Sequence, residues 1–315
     1  MRTFGRVLCT IVALIFLLAT WWLGKLERLG PPHFNTTLDG GIPATVYIPG
    51  KPGNFAPAPF PLAAGLRWPV VVLLHGYSAD RASMSTLARR LAQNGIAVIS
   101  IEFAGHGMNR NPFSPGATDE TLVKETGAAV EYARSLPLLD GSRIIVVGHS
   151  MGAGTALDYA QHDSTITGAV MISGGFDLYG PRRPRNTLFI YAQYDPDLIR
   201  TLARAIAVKL AGTKQIELNK VYGDVKIGTA VEAIEVPRVD HFRILFSDEA
   251  ANEILNWCDL LFGVTPPTVR DLRDPRIQTQ LIVFTLFIVL LVPLGLGLGA
   301  ISPLREHRLT VGAAG

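Results

Sequence analysis

"IIVVGHSMGAGTA", residues Ile144–Ala156, carries four β-branched apolar residues into a Gly-His-Ser-Met-Gly cluster and then into small residues that favour a helix. A short, continuous apolar run that ends at glycine reads as a strand covered on both faces. A strand, a tight turn and a helix in immediate succession place Ser150 on the turn itself. Whether that serine is a nucleophile or an ordinary loop residue depends on what surrounds it.

The same alternation extends in both directions. Thr36–Ile48 reads as an opening hairpin that turns near Gly40 and Gly41. Residues 50–67, with Pro52, Pro57, Pro59 and Pro61, read as a loop whose Phe55, Phe60 and Leu62 either face the membrane or pack on the domain, the packing reading being preferred. "PVVVLLHG" (Pro69–Gly76) is a buried strand, followed by a helix with Met84, Leu87, Ala88 and Leu91 at helical spacing and a stop at Asn94-Gly95. "IAVISIEF" (Ile96–Phe103) is the next strand, and Leu122, Ala129, Ala133 and Leu136 mark the helix after it. Beyond the opening stretch come the strands "ITGAVMISGG", "NTLFIYAQYD" and "TAVEAIEVP". A last helix after Ser247 has Ala250, Ile254, Trp257 and Leu261 on one face. Strands that alternate with helices of this length predict an α/β architecture, a mostly parallel sheet with helices on both faces. Ligands of such sheets bind beyond the carboxyl ends of the strands.

At those ends the chemistry collects. Gly148-His149-Ser150-Met151-Gly152 fits the G-x-S-x-G nucleophile elbow, in the strand-to-helix context the motif requires. The turn is so tight that Gly148 and Gly152 must lack side chains. Serine is a weak nucleophile until a base takes its proton. Of seven histidines, His33 and His307 lie near the terminal apolar runs, His149 and His162 flank the elbow, and His75 and His106 follow early strands. His241 follows the last strand, where a triad in the order serine, acid, histidine needs its base. Asp195, closing "NTLFIYAQYD", is the expected acid; Asp177, after the preceding strand, is the alternative, and Asp197 a further rival. Asp240 is expected to point away from His241. A developing oxyanion would take the backbone N–H of Met151, just after the nucleophile, and that of Tyr77 in "LLHGY". Gly76 is read as letting that loop turn, and His75 as holding it by hydrogen bonds.

From about Tyr47 to Phe262 the chain resembles the α/β-hydrolase superfamily, through five ordered motifs: "LLHGYS", "EFAGHGMN", "VVGHSMGAGTA", "YAQYD" and "VDHF". The resemblance implies an α/β-hydrolase fold and a serine that attacks an ester, thioester or amide carbonyl, with water releasing the acyl-enzyme. It implies Ser150 as nucleophile, Asp195 as acid, His241 as base, and Tyr77 and Met151 as oxyanion donors. A serine nucleophile also sets the chain apart from the dehalogenase and dienelactone branches. Two departures stand out. "FDLYGPRRPRN" (176–186) is too short for the helical cap of many relatives, and residues 212–228 are long for a connection and read as a surface hairpin near the pocket.

The 315 residues suit one large domain with appendages. Hydrophobic residues make up 48% and charged ones 17%, with a mean hydropathy of +0.28, high for a soluble globular chain. A net charge of +3, with no basic helix face, gives no footprint for nucleic acid. Cys9 and Cys258 form no disulfide framework or metal cluster. The apolar excess sits in two uncharged runs, 18 residues at Val7–Gly24 and 28 at Ile277–Leu304, near or above the length a bilayer core needs. The residues before Trp21-Trp22 make a poor cleavage site, so the first run reads as a retained anchor rather than a cleaved signal. Arg2, Arg6, Arg305 and Arg308 favour an extracytoplasmic middle domain; Lys25, Arg28, Arg270, Arg273 and Arg276 argue the reverse.

The expected plan is an anchor at 1–30, a hydrolase domain at 35–264, a linker at 265–276, a membrane helix at 277–304 and a tail at 305–315. The expected function is a membrane-anchored carboxylesterase or lipase-like enzyme acting on small-molecule or lipid esters, with no cofactor and no metal. The flanking helices are expected to hold its pocket near lipid. An acyltransferase on the same fold and a non-catalytic binding module are the alternatives.

Overall fold

Runs of Val, Ile and Leu build one eight-stranded sheet in the computed structural model, which describes residues 2–50, 67–113, 118–175, 178, 183–263, 270, 272, 274 and 276–301. The strands are β1 (His33–Leu38), β2 (Ile42–Tyr47), β3 (Trp68–Leu74), β4 (Ala97–Ile101), β5 (Leu139–His149), β6 (Gly168–Ile172), β7 (Thr187–Ala192) and β8 (Val231–Val236). Their order is β1-β2-β4-β3-β5-β6-β7-β8. Only β2 runs against its neighbours; from β4 to β8 every pairing is parallel. β1 and β2 form the expected hairpin, turned at Gly40 and Gly41 with φ of 79° and 75°.

Successive strand residues point to opposite faces, so a strand apolar at every position feeds two cores. Val70, Val72 and Leu74 of β3 pack in one core with α3 (Thr118–Ser135), α4 (Met151–His162) and α5 (Asp197–Ala211). Val71 and Leu73 pack in the other with α2 (Ser85–Gln93) and α6 (Asp248–Phe262). The Ser247 hydroxyl caps α6 by accepting from the Ala250 N–H at 3.2 Å, and Gly212 and Gly263 end α5 and α6 with left-handed backbone.

Residues 212–228 do turn back on β8, where Tyr222 exchanges backbone hydrogen bonds with Val231 and the Asn219 N–H donates to the Ala233 carbonyl, but not beside the catalytic end as expected: Asn186, at the start of β7, binds the Val225 carbonyl and donates its N–H to that of Gly228. The segment therefore lies at the amino-terminal edge of the sheet, opposite Ser150.

Two units make up the chain, one within Pro31–Arg273 and one within Met1–Gly30 and Asp274–Gly315. The second contains α1 (Arg2–Leu29) and α7 (Arg276–Ile301), where the rings of Phe16 and Phe287 lie 6.3 Å apart and Arg276 pairs with Glu27 at 2.9 Å. Among the described residues one helix, over Thr10–Arg28, is long and apolar enough to cross a membrane; the described apolar part of α7, Arg276–Val289, is shorter. The proline-rich loop 51–66, most of the linker, Asp177 and the tail lie outside the described residues.

Candidate active site

β5 delivers the chain to His149 and α4 begins at Met151, which leaves Ser150 to make the whole turn with φ 55° and ψ −114°. That backbone is rarely adopted by a residue with a side chain, and it stands only because packing fixes it from all sides. A Cβ on Gly148 would fall 2.0 Å from the Gly152 carbonyl oxygen, and one on Gly152 would fall 2.6 Å from that of His75. Gly174, which sequence reasoning did not single out, closes the back of the turn: its Cβ would lie 2.5 Å from the Ser150 carbonyl oxygen. Gly76 has a different role from the expected one. Its φ is not positive; a Cβ there would press on His149 Nδ1 at 3.0 Å and on Ser150 Cβ at 3.2 Å, so the requirement is for close approach.

The loop after β8 brings His241 across to the serine. Its Nδ1 lies 2.7 Å from Asp195 Oδ1 and its Nε2 lies 3.0 Å from Ser150 Oγ. An ionised carboxylate only accepts, so Nδ1 carries the hydrogen and Nε2 presents its lone pair to the serine hydroxyl. Burial by itself would raise the Asp195 carboxyl. Hydrogen bonds from His241, the Ser173 hydroxyl at 2.6 Å and the Ala192 N–H at 2.7 Å outweigh it and hold the group below the usual carboxylate range. The arrangement can pull a proton from Ser150 and stabilise the imidazolium that results.

Of the rival acids, Asp197 is exposed and pairs with Arg200, and Asp240 accepts the N–H groups of Phe242 and Arg243 instead of facing the ring. Ser173, with φ 50°, ends β6 and turns its hydroxyl toward Asp195; the bare "ISGG" carried no signal for that contact. His149 is buried and donates from Nε2 to the His241 carbonyl at 2.8 Å, while Nδ1 has no hydrogen-bond partner among the described residues. Burial lowers its pKa to about 4. His75 is also driven to about 4 by burial; it donates from Nδ1 to the Gly76 carbonyl and accepts the Phe103 N–H at 3.0 Å, the loop-holding role expected of it.

Met151 is the first residue of α4, so its N–H has no carbonyl within the helix to bond, and Tyr77 follows the glycine that lies against the serine. Two buried carboxylates anchor the loop after β4. Glu102 accepts the Met108 N–H at 2.8 Å, and Glu125 accepts the Ala104 N–H at 2.8 Å. Tyr77, Met108, Tyr194, Leu198, Phe242 and Phe246 are exposed on segments that follow β3, β4, β7 and β8, giving the mouth an apolar rim. No cluster of His, Cys, Asp or Glu suited to a metal ion occurs among the described residues.

Comparison with known proteins agrees with this geometry at the level of fold. A model described as the alpha/beta hydrolase family matches residues 71–294. The chain is 32% identical over 103 residues to a putative non-heme haloperoxidase of Mycobacterium phage D29, covering 32% of this chain and 34% of that protein. It is 25% identical over 141 residues to cutinase 2 of Thermobifida cellulosilytica, covering 43% and 45%. The matches thus span about a third to a half of these curated relatives. Among solved structures, an esterase of Pyrobaculum calidifontis aligns with TM-score 0.52 at 17% identity over 81% of this chain and 94% of that one. XC6422 of Xanthomonas campestris, described as an a/b serine hydrolase without lid, aligns with TM-score 0.50 at 18% identity over 75% and 96%.

Proposed function

The chain belongs to the alpha/beta hydrolase family, and from that premise we propose that it is a membrane-anchored serine hydrolase that cleaves acyl esters through a covalent acyl-enzyme. Ser150 Oγ attacks the ester carbonyl while His241 Nε2 takes its proton, and Asp195 holds the imidazole and balances its charge. The backbone N–H groups of Tyr77 and Met151 receive the oxyanion. His241 returns its proton to the departing alkoxide. It then draws a proton from water, which attacks the acyl-serine, and passes that proton to Ser150 Oγ as the acid leaves. The observation that carries this reading is the continuous hydrogen-bond path from Ser150 through His241 to Asp195, its far end closed by Ser173 and Ala192. α1, with α7, anchors the enzyme, and the arginines at positions 2, 6, 305 and 308 favour an extracytoplasmic hydrolase domain.

Turnover of a chromogenic short-chain acyl ester by the detergent-solubilised chain tests the reading. Wild type should release the alcohol, and Ser150→Ala should lose activity by about 10³-fold or more. Adding an alcohol acceptor should leave free acid as the main product. A new ester as the main product would make the enzyme an acyltransferase, and no turnover by folded wild type would favour a binding module.

A further inference from the structure

The chain that carries His241 is anchored on both sides. Upstream, the Val236 and Val239 carbonyls accept the N–H groups of Gln193 and Tyr194 at 2.9 and 3.0 Å, and Arg238, in left-handed backbone, donates its N–H to Gln193 Oε1 at 2.8 Å. Gln193 and Tyr194 directly precede Asp195, so the segment that brings the histidine is zipped to the segment that brings the acid. Downstream, Ile244 and Leu245 are buried in the core, and the buried Arg90 donates from Nη1 to the Phe246 and Ser247 carbonyls at 2.9 and 3.2 Å. Residues 240–243 lie between these anchors. Phe242 and Arg243 are exposed and Asp240 and His241 half-buried, so core packing alone does not hold this stretch.

Hydrogen bonds within the stretch do. Asp240 Oδ1 accepts the N–H of Phe242 at 3.0 Å and that of Arg243 at 2.8 Å, and the Asp240 carbonyl accepts the Ile244 N–H at 3.1 Å. A side-chain oxygen on the N–H groups two and three residues on, with the backbone carbonyl on the fourth, is the pattern of a helix cap, and it makes His241 the first residue of the capped turn. Donors in a first turn have no earlier carbonyl to meet, and the carboxylate satisfies them. The same turn hands the His241 carbonyl to His149 and its ring to Asp195 and Ser150. The carboxylate that does not face the ring thus shapes the backbone that aims it.

We infer that Asp240 is a positioning residue for the proposed base: by capping the turn it fixes the backbone of His241, and through it the reach of Nε2 to Ser150 Oγ. The inference rests on the proposed triad. The cap works through the placement of Oδ1 and not through charge, so it makes a specific demand on the side chain. Asn keeps the short acceptor and loses the charge. Glu keeps the charge, but its extra methylene carries the oxygens past the two N–H groups. Activity should follow the acceptor.

The test uses the detergent-solubilised full chain, the rate of its labelling by a fluorophosphonate probe, and kcat per labelled site on a chromogenic short-chain acyl ester. Counting per labelled site removes any loss of folded protein. Asp240→Ala should lower both rates about fivefold to tenfold with KM little changed. Asp240→Asn should stay within about twofold of wild type, and Asp240→Glu should fall nearly as far as the alanine variant. In a His241→Ala background, Asp240→Ala should change the residual labelling by less than about twofold, because a residue that acts through the base has nothing left to position. Wild-type rates in Asp240→Ala would overturn the inference. So would activity that follows charge, lost in Asn and kept in Glu, and so would a full further loss in the His241→Ala background. No labelling of folded wild type would instead remove the hydrolase reading, and the inference with it.

Discussion

His149 Nε2 donates to the backbone carbonyl of His241 at 2.8 Å, and the two rings lie 4.8 Å apart. The proposed base is therefore held twice, its ring by Asp195 and its backbone by the residue that precedes the nucleophile. Leu at position 149 leaves a carbonyl without its donor, a cost of about 1–3 kcal/mol, and frees the loop that aims the ring. His149→Leu should lower kcat about tenfold with little change in KM and lower the unfolding free energy by that amount; His149→Gln, which keeps a donor, should recover most of both. Wild-type kcat in the leucine variant would show that the contact positions nothing.

Acid should destabilise the fold earlier than carboxylates alone would cause. His75 and His149 are driven from 6.5 to about 4 by burial. The unfolded chain takes up these protons near 6.5 and the folded one only near 4, so stability is full above 6.5 and is lost as pH falls through that window. The loss is about 3 kcal/mol for each group. Asp195 acts lower: its folded value is depressed, so its contribution is present above the unfolded value and is lost as pH falls further. Urea midpoints of wild type should fall steeply between about pH 7 and about pH 4, and those of His75→Gln less steeply.

Two glycines two residues apart in α4 should respond in opposite ways. A Cβ on Gly152 meets the carbonyl groups of His75 and Leu74 below 3 Å, whereas one on Gly154 meets nothing within 4 Å. Gly152→Ala should abolish activity and destabilise the protein, because rigid backbone cannot yield. Gly154→Ala should keep activity and raise the unfolding free energy by about 0.5–1 kcal/mol, the helix-interior preference for alanine. Thermal melts with ester assays on the pair check both signs.

The sheet was legible because buried parallel strands announce themselves as unbroken apolar runs and helices as 3.6-residue spacing; "PVVVLLHG" and Leu87–Leu91 fell where the spacing put them. Ser150, His241 and Asp195 were legible because the elbow fixes one strand end and chain order the other two, and the structure brings these three together. Ser173 and Gly174 were not, since their contacts with Asp195 and Ser150 cross between strands and leave no local pattern. Residues 212–228 misled for a similar reason: hairpin-like composition says nothing about which edge of the sheet a segment joins, and Asn186 decides that.

Labelling with a fluorophosphonate probe tests the central claim most directly, since phosphonylation needs an activated serine and no knowledge of the substrate. Applied to the solubilised wild type, Ser150→Ala and His241→Ala, it should mark the first, miss the second and mark the third far more slowly. Strong labelling that survives Ser150→Ala, or none in folded wild type, would contradict the account.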